Sequence, residues 1–156
     1  MFAGLRTITD PGEFMAIEKR QDAIVSELTS VSDWRERYRR IIELGREMPE
    51  FPDEHRTDKN KVKGCQSQVW LHAWLDDGNM RLAADSDAAI VRGLIAILLQ
   101  VFDGEPPADV AQAPVTFIDR IGLSDNLSQT RSNGLSSMIK QIKMYAMVFD
   151  AMAKRA

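Results

Sequence analysis

In residues 63–71, KGCQSQVWL, a loop leads into the first predicted strand of the chain. From Gln68 to Leu75 the side chains alternate between two faces, which is the period-two pattern of a β-strand. Aliphatic residues occupy one of these faces: Val69, Leu71, Ala73 and Leu75. The residues Asp76-Asp77-Gly78-Asn79 that follow are typical of a hairpin turn, and a second strand is predicted from Met80 to Ala84. The sequence therefore predicts a small antiparallel sheet.

The chain's only cysteine, Cys65, lies just before the first predicted strand. Gly64 permits backbone angles that are closed to other residues, and the polar residues Gln66, Ser67 and Gln68 follow the cysteine. We therefore predict a tight, polar turn that carries a reachable thiol. A lone cysteine is more commonly a small buried hydrophobe without chemistry of its own, and the local sequence leaves both interpretations open.

Length and composition predict one domain that works in a reducing compartment. The chain has 156 residues, of which 44% are hydrophobic and 28% charged, enough for a single core. We predict a flexible lead-in over residues 1–12 and a single domain over residues 13–156. One cysteine cannot close an internal disulfide or supply a multi-thiolate metal site, so we expect no metal.

Charge and hydropathy argue against two classes of partner, nucleic acids and membranes. The net charge of −3 argues against a protein that binds nucleic acid. The longest apolar run, residues 88–102, is too short to span a membrane, and the N-terminus carries no recognisable targeting signal. We therefore expect a cytoplasmic protein that does not act at a membrane.

Helical periodicity surrounds the predicted hairpin, which gives an α+β fold with a small antiparallel sheet flanked by helices. Amphipathic helices are predicted from Glu13 to Leu28, and then from a cap at Ser32 to the prolines near Met48. Residues 60–63 are predicted as a short edge strand, residues 88–102 as an apolar central helix, and residues 122–130 as a loop. A final helix is predicted from about Ser132 to Lys154, with Phe149 and Met152 among its buried residues.

Three stretches in this order resemble the SufE family, the sulfur acceptors of iron–sulfur cluster assembly. They are GCQSQVW at residues 64–70, ADSDAAIVRGLI at residues 84–95, and LS at 127–128 followed by RSNGL at 131–135. The resemblance spans residues 34–146 and implies the fold shared by SufE and IscU. It implies that Cys65 accepts persulfide sulfur from a cysteine desulfurase like SufS, stimulates that enzyme, and passes the sulfur to a cluster-assembly scaffold. The protein itself is then an accessory sulfur-transfer protein rather than an enzyme, and pyridoxal phosphate (PLP) belongs to the desulfurase.

The same resemblance assigns roles to residues around the thiol. Arg131 is expected either to support the Cys65 thiolate or to dock the desulfurase, and Gln66, Ser67 and Gln68 are expected to assist in one of these roles. Asp87 has two interpretations, a cap for the apolar helix or part of the docking surface. The segment Asn126-Leu127-Ser128-Gln129-Thr130-Arg131-Ser132 lacks the histidine and proline that the family carries there, which predicts a looser loop before Arg131.

Two other functions fit the same residues. The protein can be a docking module that activates the desulfurase without carrying sulfur. Alternatively, Cys65 and His72 can form the nucleophile and base of a thiol hydrolase, although no third orienting group or oxyanion hole is apparent.

Overall fold

The computed structural model describes residues 11–155, and their side chains from residue 16 onward. This range contains a two-stranded antiparallel sheet and seven helices. The strands are β1 (Val69–Asp76) and β2 (Asn79–Ser86), and the helices are α1 (Pro11–Thr29), α2 (Trp34–Arg46), α3 (Ala89–Phe102), α4 (Pro107–Gln112), α5 (Phe117–Ile121), α6 (Leu123–Asn126) and α7 (Gln129–Arg155). The α+β class predicted from the sequence is confirmed. The first ten positions of the predicted lead-in lie outside the described residues, and Pro11 and Gly12 belong to α1.

The hairpin forms in the predicted register. Val69 faces Ser86 at one end of the ladder and Asp76 faces Asn79 at the other. Asp77 and Gly78 both have positive φ, 52° and 82°, as the two central residues of a type I′ turn require. The turn composition therefore fixes which side chains of the two strands share a face.

The predicted edge strand over residues 60–63 is reduced to one bridge. Lys61 pairs with Trp70, and Val62 N donates to Val69 O at 2.9 Å. A 3₁₀ turn at Asp58–Asn60 ends just before this bridge, and Gly64, with φ of 89°, turns the chain just after it. The extended segment is too short for a longer ladder because it is bounded by two turns.

Helix α3 is the centre of the core, as predicted, and it packs closely against α2. Two glycines make the close approach possible, because a Cβ on Gly45 would lie only 2.7 Å from Gly93 N. A Cβ on Gly93 would collide with the carbonyl oxygen of Ile41. The inner face of the hairpin contributes buried side chains to the same core: Val69, Leu71, Met80, Leu82 and Ala84.

Helix α1 is fixed to the start of α5 by a buried amide. Gln21 is fully buried, and its Oε1 accepts hydrogen bonds from Thr116 N at 2.8 Å and Phe117 N at 3.2 Å. Its Nε2 donates to Pro114 O at 2.9 Å. The cap of α2 predicted at Ser32 is wrong: Asp33 is the N-cap and accepts from Arg35 N, because the helix begins one residue later at Trp34.

The C-terminal third differs from its prediction in two places. Part of the predicted loop over residues 122–130 is the short helix α6, which the fully buried Leu123 anchors, and α7 begins at Gln129 rather than near Ser132. Met152 is 55% exposed instead of buried, because the last buried residue of α7 is Ala146 and the final turns extend past the core. No helix within residues 11–155 is both long and apolar enough to cross a membrane.

Candidate functional site around Cys65

Gly64 directs Cys65 toward helix α7. Its φ of 89° lies in the left-handed region that favours glycine. A Cβ at this position would also lie only 2.5 Å from Ser137 Oγ, in the third turn of α7. Glycine is therefore required here both for the turn and for the close contact with α7.

The Cys65 thiol is half-buried against α7. Its Sγ donates a weak hydrogen bond to the carbonyl oxygen of Gly134 at 3.6 Å. Burial raises the pKa of the Cys65 thiol above its ordinary value. The thiol is thus less exposed than the polar residues around it predict, because the turn at Gly64 points the side chain inward.

A cavity of about 550 Å³ opens beside the sulfur. Gln66, Ser67, Asp87 and Arg131 line it together with Cys65, so the structure brings these predicted site residues to one place. Apolar side chains complete the lining, among them Val69, Val91, Leu94, Leu135 and Met138. The cavity therefore offers the sulfur an apolar wall on one side and polar groups on the other.

Asp87 anchors the base of the cysteine loop. Its Oδ1 accepts a hydrogen bond from Gln68 N at 3.1 Å, and Asp87 N donates to Gln68 O at 3.3 Å. The helix-cap interpretation of Asp87 is therefore wrong, since the N-cap of α3 is Ala88 and no side chain caps it. Ala88 N instead donates to Ser86 Oγ at 3.3 Å. Gln68, which does not line the cavity, contributes through its backbone.

Arg131 lies in the first turn of α7, at the rim of the cavity. Its guanidinium donates to Tyr38 Oη at 3.3 Å, rather than to the sulfur. Its backbone N donates to Ser128 Oγ at 3.2 Å, so Ser128 orders the start of the helix. Gln129 Nε2 adds a bond to Asn133 Oδ1 at 2.8 Å. These bonds order the segment that was predicted to be looser.

His72 belongs to a different part of the molecule. Its ring stacks on His55 at 3.8 Å and on Trp74 at 5.1 Å, and it lines a separate cavity from Cys65. Burial lowers the pKa of His72, and electrostatic interactions with His55 and Lys59 lower it further. The predicted pairing of Cys65 with His72 in a thiol hydrolase is therefore wrong in this structure.

The contacts of the thiol with α7 were not apparent from the sequence. Gly134 and Ser137 lie about 70 residues after Cys65, and only the placement of Gly134 inside the RSNGL stretch gave any signal for it. Nothing indicated Ser137 or Tyr38. Among the side chains of residues 16–155, no group of three or more histidines, cysteines, aspartates or glutamates is arranged to hold a metal ion.

Comparisons with known proteins show which family and which fold this chain resembles. The family model of SufE, described as the Fe-S metabolism associated domain, matches residues 22–146. An uncharacterized SufE-like protein of Rhizobium etli is 48% identical over 132 residues, which cover 81% of this chain and 89% of the relative. A second uncharacterized SufE-like protein, from Rhizobium meliloti, is 45% identical over 130 residues, with 80% and 93% coverage. The solution structure of a hypothetical protein from Thermus thermophilus shares the fold, with a TM-score of 0.71 at 20% identity, over 85% of this chain and 96% of that one.

Proposed function

The chain belongs to the SufE family, which is associated with iron–sulfur metabolism, and we propose that it accepts persulfide sulfur onto Cys65 from a PLP-dependent cysteine desulfurase. It then passes the sulfur to a cluster-assembly scaffold. The observation that carries the proposal is the position of the single cysteine: it ends a glycine turn, faces a cavity, and stands on a loop that Asp87 anchors.

The proposed transfer is a thiol–persulfide exchange without net oxidation. The Cys65 thiolate attacks the outer sulfur of the desulfurase's cysteine persulfide, and a new sulfur–sulfur bond forms on Cys65. The sulfur–sulfur bond of the donor breaks, and the donor cysteine leaves as a thiolate that can take up the proton lost by Cys65. A second exchange of the same kind moves the outer sulfur to the next acceptor.

The half-buried position of Cys65 suggests that uptake begins with an outward movement of its loop. Burial raises the pKa of the thiol, and the carbonyl of Gly134 accepts from its neutral S–H form, so both features oppose ionisation here. Each pKa unit above the solution value costs the thiolate about 1.4 kcal/mol. Opening of the loop from Gly64 to Gln68 moves the sulfur into solvent and removes this cost, and it breaks the hydrogen bond from Gln68 N to the Asp87 carboxylate.

Arg131 is proposed to act in docking rather than on the resting thiol. It is exposed, stands at the rim of the Cys65 cavity, and makes only one side-chain hydrogen bond within residues 11–155, to Tyr38. An exposed arginine beside the reacting group is well placed to bind a carboxylate or a backbone carbonyl of the desulfurase. Gln66 and Ser67 follow Cys65 in its loop, line the same cavity as Arg131, and complete this surface.

Intact-mass analysis tests the proposal. The protein is incubated with a cysteine desulfurase, PLP and cysteine, and its mass is measured before and after reductant. We expect a gain of one sulfur atom that reductant removes and that is absent from Cys65→Ser. Stimulated desulfurase turnover without any gain in mass would instead identify a docking module that carries no sulfur.

A further inference from the structure

We propose that the open edge of β2 is a docking site for an extended peptide segment of a partner protein, apolar in its main contacts and carrying a basic side chain. The site lies in the groove that His72 lines, apart from Cys65, and the proposal is independent of sulfur acceptance. The peptide adds to the sheet as a third strand beside β2.

The register of the hairpin determines which backbone groups of β2 face outward. The two-residue turn makes Asp76 and Asn79 a hydrogen-bonded pair, so the even-numbered residues of β2 direct their N–H and C=O groups away from β1. The contacts of Met80 agree: its N donates to Glu105 O at 2.8 Å, and its O accepts from Gly104 N at 2.8 Å. Further along, Leu82 N donates to the Asp103 carboxylate at 2.8 Å.

Beyond this point the edge is unpaired. The Leu82 C=O, the Ala84 N–H and the Ala84 C=O have no hydrogen-bond partner among residues 11–155. An unpaired strand edge is a template for another extended backbone, because its donors and acceptors are spaced for one. The pairing of Met80 with Glu105 shows that this edge already accepts a short extended segment of the chain itself.

The unpaired edge borders a groove large enough for such a segment. The groove has a volume of about 740 Å³ and runs between the edge, the chain that follows α2, and one face of α3. This volume is within the range of about 300–1,000 Å³ that is usual for ligand sites. Apolar side chains form most of its walls: Leu44, Met48, Phe51, Trp74, Ala96 and Leu99. A peptide strand in this groove can bury side chains on both of its faces.

The charges of the groove favour a basic peptide. Three carboxylates line it, and two of them are already paired: Glu47 with Arg40 at 3.2 Å, and Asp103 with Arg81 at 3.0 Å. Glu50 is exposed and has no charged partner within residues 11–155. An unpaired carboxylate at the mouth of an apolar groove attracts a lysine or arginine and repels an acidic peptide.

The probe is a blocked, fluorescein-labelled pentapeptide of alternating valine and lysine, titrated into the full chain and followed by fluorescence anisotropy. We expect saturable binding that Ala84→Pro weakens at least tenfold. Proline removes the outward N–H and fills its place, yet it is tolerated on a strand edge where that N–H makes no ladder bond. Glu50→Lys should weaken binding at least threefold, and Glu36→Lys, a matched change outside the groove, should leave it unchanged.

Two further measurements keep the test decisive. Hydrogen exchange of the Ala84 amide should slow when peptide binds, and this readout needs no variant, so it remains available if Ala84→Pro does not fold. A peptide with N-methylated backbone amides should fail to bind. The proposal would be overturned if the methylated peptide bound equally well or if the exchange of the Ala84 amide did not change. It would also be overturned if the protein formed a dimer that Ala84→Pro dissociates, because a second copy of the chain would then occupy the edge.

Discussion

Replacing Asp87 with alanine should release the cysteine loop. In the structure the Asp87 carboxylate accepts a hydrogen bond from Gln68 N at 3.1 Å, while the backbone of the two residues forms a second, longer bond. The substitution removes the first bond and leaves the second. Helix α3 should be unaffected, because the Asp87 side chain does not cap it.

The size of the effect follows from the exposure of this bond. A hydrogen bond to a charged acceptor contributes about 1.5–3 kcal/mol, and since Asp87 and Gln68 are both exposed we take a value just below this range, about 1 kcal/mol. A free energy of 1 kcal/mol is about a fivefold change in an equilibrium constant. The fraction of molecules with the loop open should therefore rise about fivefold.

The rate of Cys65 alkylation measures this fraction. The thiol is half-buried with a raised pKa when the loop is closed, so iodoacetamide should react mainly with open molecules. We expect Asp87→Ala to react about fivefold faster than the original protein at neutral pH, by intact mass. The matched variant Asp87→Asn retains an acceptor oxygen and should change the rate less than about twofold.

Two results would refute this reasoning. Equal alkylation rates in Asp87→Ala and the original protein would mean that the bond to Gln68 does not restrain the loop. Equal acceleration in the alanine and asparagine variants would mean that charge, rather than the hydrogen bond, controls the reactivity of Cys65.

Three further predictions concern Arg131, Gln21 and His72. Arg131→Ala should leave the unfolding midpoint nearly unchanged. As expected for a docking arginine, it should raise about fivefold the protein concentration that half-saturates stimulation of the desulfurase. Unchanged kinetics at both subsaturating and saturating protein would exclude that role. Gln21→Leu leaves backbone groups without a partner, among them the buried Phe117 N, and should lower the free energy of unfolding by about 2–4 kcal/mol in urea titrations. A loss under about 0.5 kcal/mol would show that the amide is dispensable. Because folding lowers the pKa of His72, the unfolded chain binds more protons, and the free energy of unfolding should fall as pH drops through about 6.5. His72→Gln should make this fall less steep. Identical pH profiles of the variant and the original protein would show that His72 does not cause it.

The sequence predicted local structure well because the signals were local. The alternation from Gln68 onward and the Asp77-Gly78 turn determine the hairpin, since period and turn type both act over a few residues. The long, mostly apolar run over residues 88–102 likewise predicted α3 as the centre of the core. The errors were at element ends, as at the cap of α2, where neighbouring serine and aspartate compete for the same role.

The environment of Cys65 could be predicted only in part. Gly64 and the polar residues after Cys65 predicted a turn, but the direction of the thiol depends on Gly134 and Ser137, which reach it only through the packing of α7. For the same reason the bond between Asp87 and Gln68, 19 residues apart in the chain, had no local signal. Contacts between distant segments depend on the complete fold, and periodicity does not report them.

Localising the transferred sulfur shows whether Cys65 carries it. After incubation with desulfurase, PLP and cysteine, free thiols and persulfides are alkylated, and tryptic peptides are analysed without reductant. We expect one additional sulfur on the peptide from Gly64 to Arg81, which contains the chain's single cysteine. If the desulfurase retains its persulfide and the sulfur-bearing form of this peptide is absent, Cys65 does not accept the sulfur.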